Sequence, residues 1–198
     1  MSTTQPTTFA FSKKYQPLVD KALAKYPEDR RRSAVIPLLD LAQRQHGGWV
    51  PQPAIELISE MLDMAPIKVL EVATFYTMIN TEPVGEHHIQ VCTTTPCWLR
   101  GSDDVVSACK KKLGIDFGET TKDGKFSMLE VECLGACANA PMIQINDDYY
   151  EDLTAESMEK LLDDLAAGKK TKIGSQIGRQ ASEPEGGATT LQKAGKKG

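Results

Sequence analysis

Apolar side chains recur at helical spacing through roughly the first eighty residues of the chain. Three stretches carry the pattern: Val35, Leu38, Leu39 and Ala42; then Ile55, Ile58, Met61 and Leu62; then Val69, Val72, Ala73 and Tyr76. Ser33 can cap the first of these helices, Gly47–Gly48 can end it, and Pro66 suits the first turn of the third. Together with the segment from Ser12 to Lys25, the spacing predicts a bundle of about four helices over residues 1–82.

The pattern changes to short alternating runs from about residue 86 onward. Three such runs predict strands at His88–Cys92, Phe126–Cys133 and Met142–Asn146. Two amphipathic helices lie among and after them, the first capped by Ser102, the second capped by Thr154 and ended by Gly168. The order strand, helix, strands, helix is typical of a small α/β layer structure, which we place at residues 83–167. With the helices before it, the expected fold class is α+β.

The last thirty or so residues lose this periodicity. Beyond Gly168 the chain is rich in Gly, Ser, Gln and Lys and carries few regularly spaced apolar residues. We therefore expect residues 168–198 to form an extended or disordered C-terminal tail. An alternative expectation is that the tail lies across a partner protein instead of packing on its own domain.

Composition and charge exclude several classes of protein. The chain has 198 residues, 40% of them hydrophobic, which is enough for one domain or two small ones with a buried core. Its formal net charge is −4, which does not suit a nucleic-acid-binding surface, so nucleic acid is not expected as a partner. The most apolar run, Val69 to Ile79, is shorter than the roughly 18–20 residues of a membrane span. Direct membrane insertion is therefore not expected either.

The five cysteines indicate where the chemistry lies. Residues 1–16 contain no apolar stretch that could serve as a secretory signal, so a reducing compartment is expected. In such a compartment, close cysteine pairs hold metal or do redox chemistry more often than they form structural disulfides.

Four of the cysteines form two close pairs, Cys92-x4-Cys97 and Cys133-x3-Cys137, separated by thirty-five residues. In each pair the first cysteine ends a predicted strand and the second lies in the loop that follows. If the two strands are neighbours in one sheet, both loops leave the same edge and the four sulfurs converge. A [2Fe-2S] cluster takes four thiolates, two on each iron. The pattern therefore favours one such cluster, with Cys92 and Cys97 on one iron and Cys133 and Cys137 on the other.

Other uses of these cysteines stay open at this point. Structural zinc also binds four cysteines, although its ligands usually come in Cys-x2-Cys pairs, and neither pair here has that spacing. A disulfide or a catalytic dithiol is a further alternative, although the Cys-x-x-Cys spacing of a thioredoxin-type pair is missing. Cys109 lies on the apolar face of its helix and is expected to be a buried hydrophobic residue, not a ligand. His87 and His88 are adjacent in a strand and point to opposite sides, which argues against a shared metal.

Residues around the pairs can tune a cluster. Thr93, Thr94 and Thr95 can add hydroxyl donors, and Gly135 lets the backbone approach a sulfur without a side chain in the way. Glu132, beside the third cysteine, adds negative charge that disfavours reduction, so the expected direction is a low reduction potential.

Four sequence motifs carry a resemblance to a known family. They are Val72–Tyr76 (VATFY), Cys92–Cys97 (CTTTPC), Glu132–Cys137 (ECLGAC) and the stretch from Ala140 to Glu151 (APMIQINDDYYE). In this order and spacing the chain resembles the 24 kDa subunit family of respiratory complex I, the NADH:quinone oxidoreductase. The match runs from about Phe9 to Gly187, nearly the whole chain.

The resemblance implies a fold, a cofactor and a set of partners. Family members have an N-terminal helical bundle followed by a thioredoxin-like [2Fe-2S] domain, with the cluster on the residues that correspond to Cys92, Cys97, Cys133 and Cys137. They dock on the flavoprotein subunit that binds NADH and FMN, among other peripheral-arm subunits, and exchange single electrons with the FMN. By this resemblance the chain is a subunit of an oxidoreductase, with no complete active site of its own. The tail from Gly174 to Gly187 resembles the segment that the family extends toward the flavoprotein.

The N-terminal Met, with no transit peptide, favours a location, and two alternative functions stay open. A bacterial cytoplasmic protein, peripheral on the inner face of the plasma membrane, is expected, with the mitochondrial matrix side as the equivalent for a processed eukaryotic form. One alternative function is the related diaphorase subunit of a NAD-linked hydrogenase or formate dehydrogenase. The other is a zinc-stabilised binding module with no redox role.

Overall fold

The computed structural model describes residues 5–187 and 189–190 of the chain. The chain divides into two compact units, and the boundary in the sequence falls between Val84 and Gly85. Each unit encloses a hydrophobic core of its own. Within the described residues, none of the helices combines the length and the apolar character that a membrane crossing requires.

The first unit is helical. Its elements are α1 (Gln16–Leu23), a 3-10 helix (Glu28–Ala34), α2 (Val35–Gln45), α3 (Gln52–Leu62) and α4 (Pro66–Phe75). Proline stands in the first turn of α1, α3 and α4, where its fixed φ suits the helix and its missing N–H is no loss. Leu38 and Leu39 of α2 and Ile55 and Ile58 of α3 are almost fully buried in the common core, as their spacing predicts.

Two helix starts in this unit differ from the prediction. Ser33 does not cap α2, because it lies inside the 3-10 helix and Ala34 takes the cap position with no side-chain hydrogen bond. Helix α1 begins at Gln16 instead of Ser12. Here the side chain of Gln45 accepts from the Ser12 N–H at 2.8 Å and donates to the Ala10 carbonyl at 2.8 Å, which binds the preceding chain outside the helix. Because these hydrogen bonds join residues more than thirty positions apart, the local spacing of apolar residues does not predict them.

The second unit is built on a mixed sheet with strand order β2-β3-β1-β4-β5-β6. The strands are β1 (His87–Cys92), β2 (Glu119–Thr120), β3 (Phe126–Val131), β4 (Ile143–Ile145), β5 (Asp148–Glu151) and β6 (Gly174–Ser175). The helices are α5 (Thr95–Leu99), α6 (Ser102–Leu113), a 3-10 helix (Cys137–Asn139) and α7 (Ala155–Ala166). Strand β1 runs parallel to β3 and antiparallel to β4. The mixture of helices and a mixed sheet confirms the predicted α+β class.

The core of the second unit follows from the register of its strands. Ile89 of β1 lies opposite Met128 of β3 on one side and Ile145 of β4 on the other, so the three side chains form one apolar row. Helices α6 and α7 pack against each other, and the buried side chains of α7, such as Met158 and Leu162, belong to the same core. Each of these five side chains is at most 3% exposed.

The two caps predicted in this unit have different outcomes. Thr154 caps α7 in a capping box with Ser157, with hydrogen bonds of 2.8 and 3.2 Å, and Gly168 follows the helix with φ +66°. Ser102 does not cap α6. It is the first residue of the helix, Gly101 precedes it with φ +95°, and its buried hydroxyl has no hydrogen-bond partner among the described residues.

The C-terminal segment differs most from the prediction. Within the tail that was expected to be extended or disordered, β6 pairs in parallel with β5. Arg179 then forms a buried ion pair with Asp152, so the tail is anchored to its own unit. The alternative expectation, that the tail lies across a partner protein, stays a prediction. Residues 188 and 191–198 of the predicted tail lie outside the described part of the chain.

Candidate metal centre

The parallel pairing of β1 and β3 brings the two cysteine pairs to one edge of the sheet. In this pairing Cys92 is opposite Val131, and both residues end their strands. Because the carboxyl ends of parallel strands share an edge, the segments that follow leave the sheet side by side. Cys133 lies two residues beyond the end of β3, although the prediction had the strand reach it. Strands β1 and β3 are therefore neighbours in one sheet, as the convergence of the two cysteine pairs requires.

The second cysteine of each pair lies in a short helical turn, not in an open loop as predicted. Cys97 is in the middle of α5, where Pro96 stands in the first turn and the Thr94 carbonyl accepts from the Trp98 N–H at 2.9 Å. Cys137 begins the short 3-10 helix that ends at Asn139. Runs of three to five residues are too short to show helical periodicity, which explains why the sequence did not reveal them.

The four thiols meet as two pairs. The sulfurs of Cys133 and Cys137 are 3.3 Å apart, and the thiols of Cys92 and Cys97 lie together in one buried cluster. Leu134 and Ala136, which lie between Cys133 and Cys137, pack against the buried cluster that contains Cys92 and Cys97, so the two pairs lie in one site. All four cysteines are free of disulfide bonds.

This donor set has the composition that a [2Fe-2S] cluster requires. Two thiolate pairs correspond to the two irons, each of which takes two cysteine sulfurs. Across residues 5–187 and 189–190, no group of three His, Cys, Asp or Glu side chains is placed to hold a single metal ion.

The two pairs differ in their exposure to solvent. Cys92 and Cys97 are each 1% exposed, whereas Cys133 and Cys137 are exposed. Ala140 and Met142 are buried beside the inner pair, and the partly buried side chains of Leu134, Ala136 and Tyr149 pack against that cluster. The site therefore has an apolar inner wall and an open outer side.

Several donors point at the sulfurs. The Thr94 hydroxyl lies 3.2 Å from Cys92 Sγ, and the Gly135 N–H donates to Cys133 Sγ at 3.4 Å. Gly135 has φ +86°, a conformation that favours glycine, but a Cβ at this position would meet no atom within 4 Å. Its backbone conformation therefore explains the glycine, and the predicted need for space beside the sulfur does not. Thr93, which was also predicted as a donor to sulfur, donates instead to Glu130 Oε1 at 2.6 Å.

The electrostatics of the thiols follow their surroundings. Burial raises the pKa of Cys97 to about 12. Burial also acts to raise the pKa of Cys92, but the hydrogen bonds it receives, first of all from Thr94, outweigh it and hold this pKa below its ordinary value. The pKa of Cys137 is raised, first by its hydrogen bond with Cys133. Metal binding therefore has to displace protons from this site.

The remaining cysteine and the histidines take structural positions. Cys109 is fully buried in the main core of the second unit, and burial raises its pKa to about 12, which confirms its predicted role as a small hydrophobic residue. The His88 ring lies 2.8 Å from the Ser127 hydroxyl, while the His87 ring packs on Phe126 at 5.1 Å. The two rings thus have separate neighbours.

Sequence reasoning missed the polar residues that surround Cys137. Arg179 donates to the carbonyl of Ala138 at 2.7 Å, and Asn139 donates to the carbonyl of Ala181 at 2.8 Å. These contacts join residues more than forty positions apart, so no local motif signals them. The only feature of the sequence that could have indicated these contacts is Arg179, the single arginine in a segment with few regularly spaced apolar residues.

Comparison with known proteins defines the class. The sequence profile of the thioredoxin-like [2Fe-2S] ferredoxin family matches residues 19–166. The chain therefore belongs to the thioredoxin-like [2Fe-2S] ferredoxin family, and the predicted fold of the second unit is confirmed.

Individual relatives with similar sequences are more informative than the family profile. The chain is 62% identical over 162 residues to an NADH-quinone oxidoreductase subunit of Rickettsia bellii (strain RML369-C), and the match covers 82% of this chain and 97% of that protein. It is 55% identical over 185 residues to NADH dehydrogenase [ubiquinone] flavoprotein 2, mitochondrial, of Dictyostelium discoideum, covering 93% of this chain and 75% of that protein. The resemblance drawn from the four motifs is thus confirmed.

A solved structure shares the fold. The NAD+-reducing [NiFe]-hydrogenase in the H2-reduced state matches with a TM-score of 0.60 and 20% identity. The match covers 67% of this chain and 22% of that chain. At this identity the likeness concerns the fold alone.

Proposed function

We propose that this chain is the electron-transfer subunit of an NADH:quinone oxidoreductase, complex I, and that it carries one [2Fe-2S] cluster on Cys92, Cys97, Cys133 and Cys137. The observation that carries the proposal is the packing of the two cysteine pairs against each other beyond the parallel strands β1 and β3. The Rickettsia relatives, which are named as subunits of NADH-quinone oxidoreductase, support the assignment to this complex. When bound, a [2Fe-2S] cluster supplies one-electron oxidation and reduction.

The four cysteines hold such a group from two sides of the site. Cys92 and Cys97 bind from the buried side, where Met142 excludes water. Cys133 and Cys137 bind from the exposed side. The donors at Thr94 and Gly135 stabilise negative charge on the sulfurs, which lessens the cost of adding an electron to an anionic site.

The electron partner in this proposal is the flavoprotein subunit that binds NADH and FMN. Exposed apolar side chains beside the site support a protein partner there, because Trp98 and Leu99, which follow Cys97 directly, are 57% and 70% exposed. Contiguous apolar side chains on a surface mark interaction sites. A complex held at the inner face of the membrane, with other peripheral-arm subunits around this chain, is the proposed setting.

Co-purification tests the partner. A Trp98→Ser, Leu99→Ser double variant should recover less of the flavoprotein subunit when the complex is isolated through a tag on this chain. Leu18→Ser is the matched control, since Leu18 is 46% exposed on the first unit. Equal recovery of the flavoprotein by both variants would argue against docking at Trp98 and Leu99.

Iron and sulfide analysis tests the cofactor. Anaerobically purified protein should contain about two irons and two acid-labile sulfides per chain, and it should give an electron paramagnetic resonance signal after reduction with dithionite. Cys137→Ala should lose most of this iron, whereas Cys109→Ala should keep it because Cys109 lies in the main core. Stoichiometric zinc without sulfide would overturn the proposal and restore the zinc-stabilised binding module.

The alternative, a diaphorase subunit of a NAD-linked hydrogenase or formate dehydrogenase, has less support. The hydrogenase likeness rests on 20% identity, while identity to the NADH-quinone oxidoreductase relative from Rickettsia bellii is 62%. Identification of the proteins that co-purify with the native chain separates the two functions, because a hydrogenase or dehydrogenase component would replace the quinone-reducing arm.

A further inference from the structure

A buried ion pair lies close to the exposed half of the metal centre. The side chains of Arg179 and Asp152 are 8% and 4% exposed, whereas those of Lys112 and Asp163, an ion pair on the same unit, are 36% and 60% exposed. Taking two charges out of water is costly unless hydrogen bonds satisfy both groups. A buried pair of this kind therefore needs a structural or functional reason.

Both charged groups are well satisfied. Asp152 accepts from Arg179 with both oxygens and from the Ser175 hydroxyl at 2.6 Å. Arg179 also donates to the carbonyl of Glu183 at 2.9 Å and to the carbonyl of Ala138 at 2.7 Å. Burial acts to raise the pKa of Asp152, but the hydrogen bonds from Arg179 and Ser175 outweigh it and keep this pKa below its ordinary value.

These contacts join three segments of the chain. Asp152 follows β5, Arg179 and its neighbours belong to the C-terminal segment, and Ala138 belongs to the 3-10 helix that begins at Cys137. The next residue of that helix, Asn139, is held as well. Its side chain donates to the Ala181 carbonyl at 2.8 Å and to Glu151 at 2.9 Å, and its carbonyl accepts from the Asp152 N–H at 2.8 Å.

The exposed cysteines depend on such support more than the buried ones do. Cys92 is fixed by its place at the end of β1 and by the packing around it. Cys137 is exposed, so side-chain packing contributes little to its position, and its main chain has to place the sulfur. That main chain is held one and two residues further on, at Ala138 and Asn139, by the C-terminal segment.

We infer that Arg179 is a positioning residue for the metal centre: by bridging Asp152 and the Ala138 carbonyl, it fastens the C-terminal segment over the Cys137 turn and fixes the Cys137 thiolate toward the cluster. The inference rests on the proposed function, because it requires the cluster at this site. The C-terminal segment thereby serves the centre from within its own unit, in addition to any role toward a partner.

The test compares iron retention in three forms of the full-length chain, each loaded with its cluster. Asp152→Asn combined with Arg179→Met removes the bridge to Ala138 without leaving a single charge buried. Lys112→Met combined with Asp163→Asn is the control, because it removes an exposed ion pair from the same unit. Iron release to a chelator is followed by absorbance, and the electron paramagnetic resonance spectrum of the reduced protein is recorded for each form.

The bridge variant should release iron about 10-fold to 100-fold faster than the parent, as is typical when a residue supporting a metal ligand is lost. Its resonance spectrum should broaden or shift, while the control variant should match the parent in both measurements. If the bridge variant matches the parent in both release rate and spectrum, the inference is overturned and the proposed function stands. A parent chain that holds no iron and sulfide would overturn both.

Arg179→Lys keeps the test decisive if the double variant does not fold. Lysine retains the positive charge beside Asp152, but its single ammonium cannot reproduce the planar set of donors that reaches Asp152, Glu183 and Ala138 together. Faster iron release from Arg179→Lys than from the control supports the positioning role. A parental rate in Arg179→Lys would show that charge alone suffices and would overturn it.

Discussion

The hydroxyl of Thr94 offers a direct test of how this protein adjusts the reduction potential of its centre. It lies 3.2 Å from Cys92 Sγ, and Cys92 is 1% exposed, so water has little access to replace a lost donor. Once Cys92 is a metal-bound thiolate, the hydroxyl can serve only as the donor. Thr94→Val keeps the shape of the side chain and removes that hydrogen bond.

The expected effect is a lower midpoint potential, because the reduced site carries one more negative charge and gains more from a donor. A hydrogen bond contributes about 0.5–1.5 kcal/mol net. With about 59 mV for each tenfold change in a one-electron equilibrium, a donor that stabilised only the reduced site by this energy would correspond to about 20–65 mV, which is the upper limit of the expected decrease. A redox titration followed by electron paramagnetic resonance measures it.

Thr93→Val is the matched control for this experiment. The Thr93 hydroxyl donates to Glu130 Oε1 at 2.6 Å and not to a sulfur, so its removal should leave the midpoint potential close to that of the parent. An unchanged potential in Thr94→Val, or equal decreases in both variants, would refute the assignment of Thr94 as a donor to the centre.

Three further predictions follow from the structure. Glu132→Gln should raise the midpoint potential by a few tens of millivolts at most, and less at high salt, since Glu132 is an exposed charge next to the site. In the metal-free protein at pH 8, iodoacetamide should modify Cys133 faster than Cys97 or Cys109, because burial hides these two thiols and raises the pKa of each to about 12, as mass spectrometry of the digested protein can show. Leu162→Ala should cost about 2–5 kcal/mol in the free energy of unfolding measured with denaturant, because Leu162 is 1% exposed in the core.

Each of these predictions has a result that contradicts it. A salt-independent or downward change of potential in Glu132→Gln would show that the carboxylate does not act through its charge. Equal labelling of all three cysteines would contradict the burial described for Cys97 and Cys109. A loss below about 1 kcal/mol for Leu162→Ala would mean that the side chain is not packed in the core, and Leu99→Ala, at an exposed position, provides the reference for a harmless truncation.

Local pattern predicted most of the elements of both units. The amphipathic spacing of Ile55 and Ile58 placed α3, and the alternation around Ile89 placed β1, because each element has to bury one face. The capping box at Thr154 was also readable, since it involves residues three positions apart. Ser33 and Ser102 were misread as caps because a serine before an apolar run is a cap only if the chain turns at that residue, which distant packing decides.

The candidate ligands were also predicted from the sequence, and their assignment stays a prediction. The spacing of Cys92, Cys97, Cys133 and Cys137, together with the residues between them, was specific enough to indicate both the kind of centre and the family. Spacing cannot show that two strands are neighbours, however. The parallel pairing of β1 with β3 joins residues about forty positions apart, and only this pairing brings the two halves of the centre together.

Tertiary structure alone decided which residues contact the chain next to Cys137. The C-terminal segment lacks an apolar period, so its sequence resembles that of a free tail, yet β6 pairs with β5 and Arg179 reaches Asp152 and Ala138. Sequence periodicity reports the burial of apolar faces, and it is silent about hydrogen bonds and ion pairs between distant residues. The chain's pattern of cysteines thus predicts what the candidate centre can bind, whereas the folded arrangement of polar groups decides which distant residues contact the chain at Ala138 and Asn139.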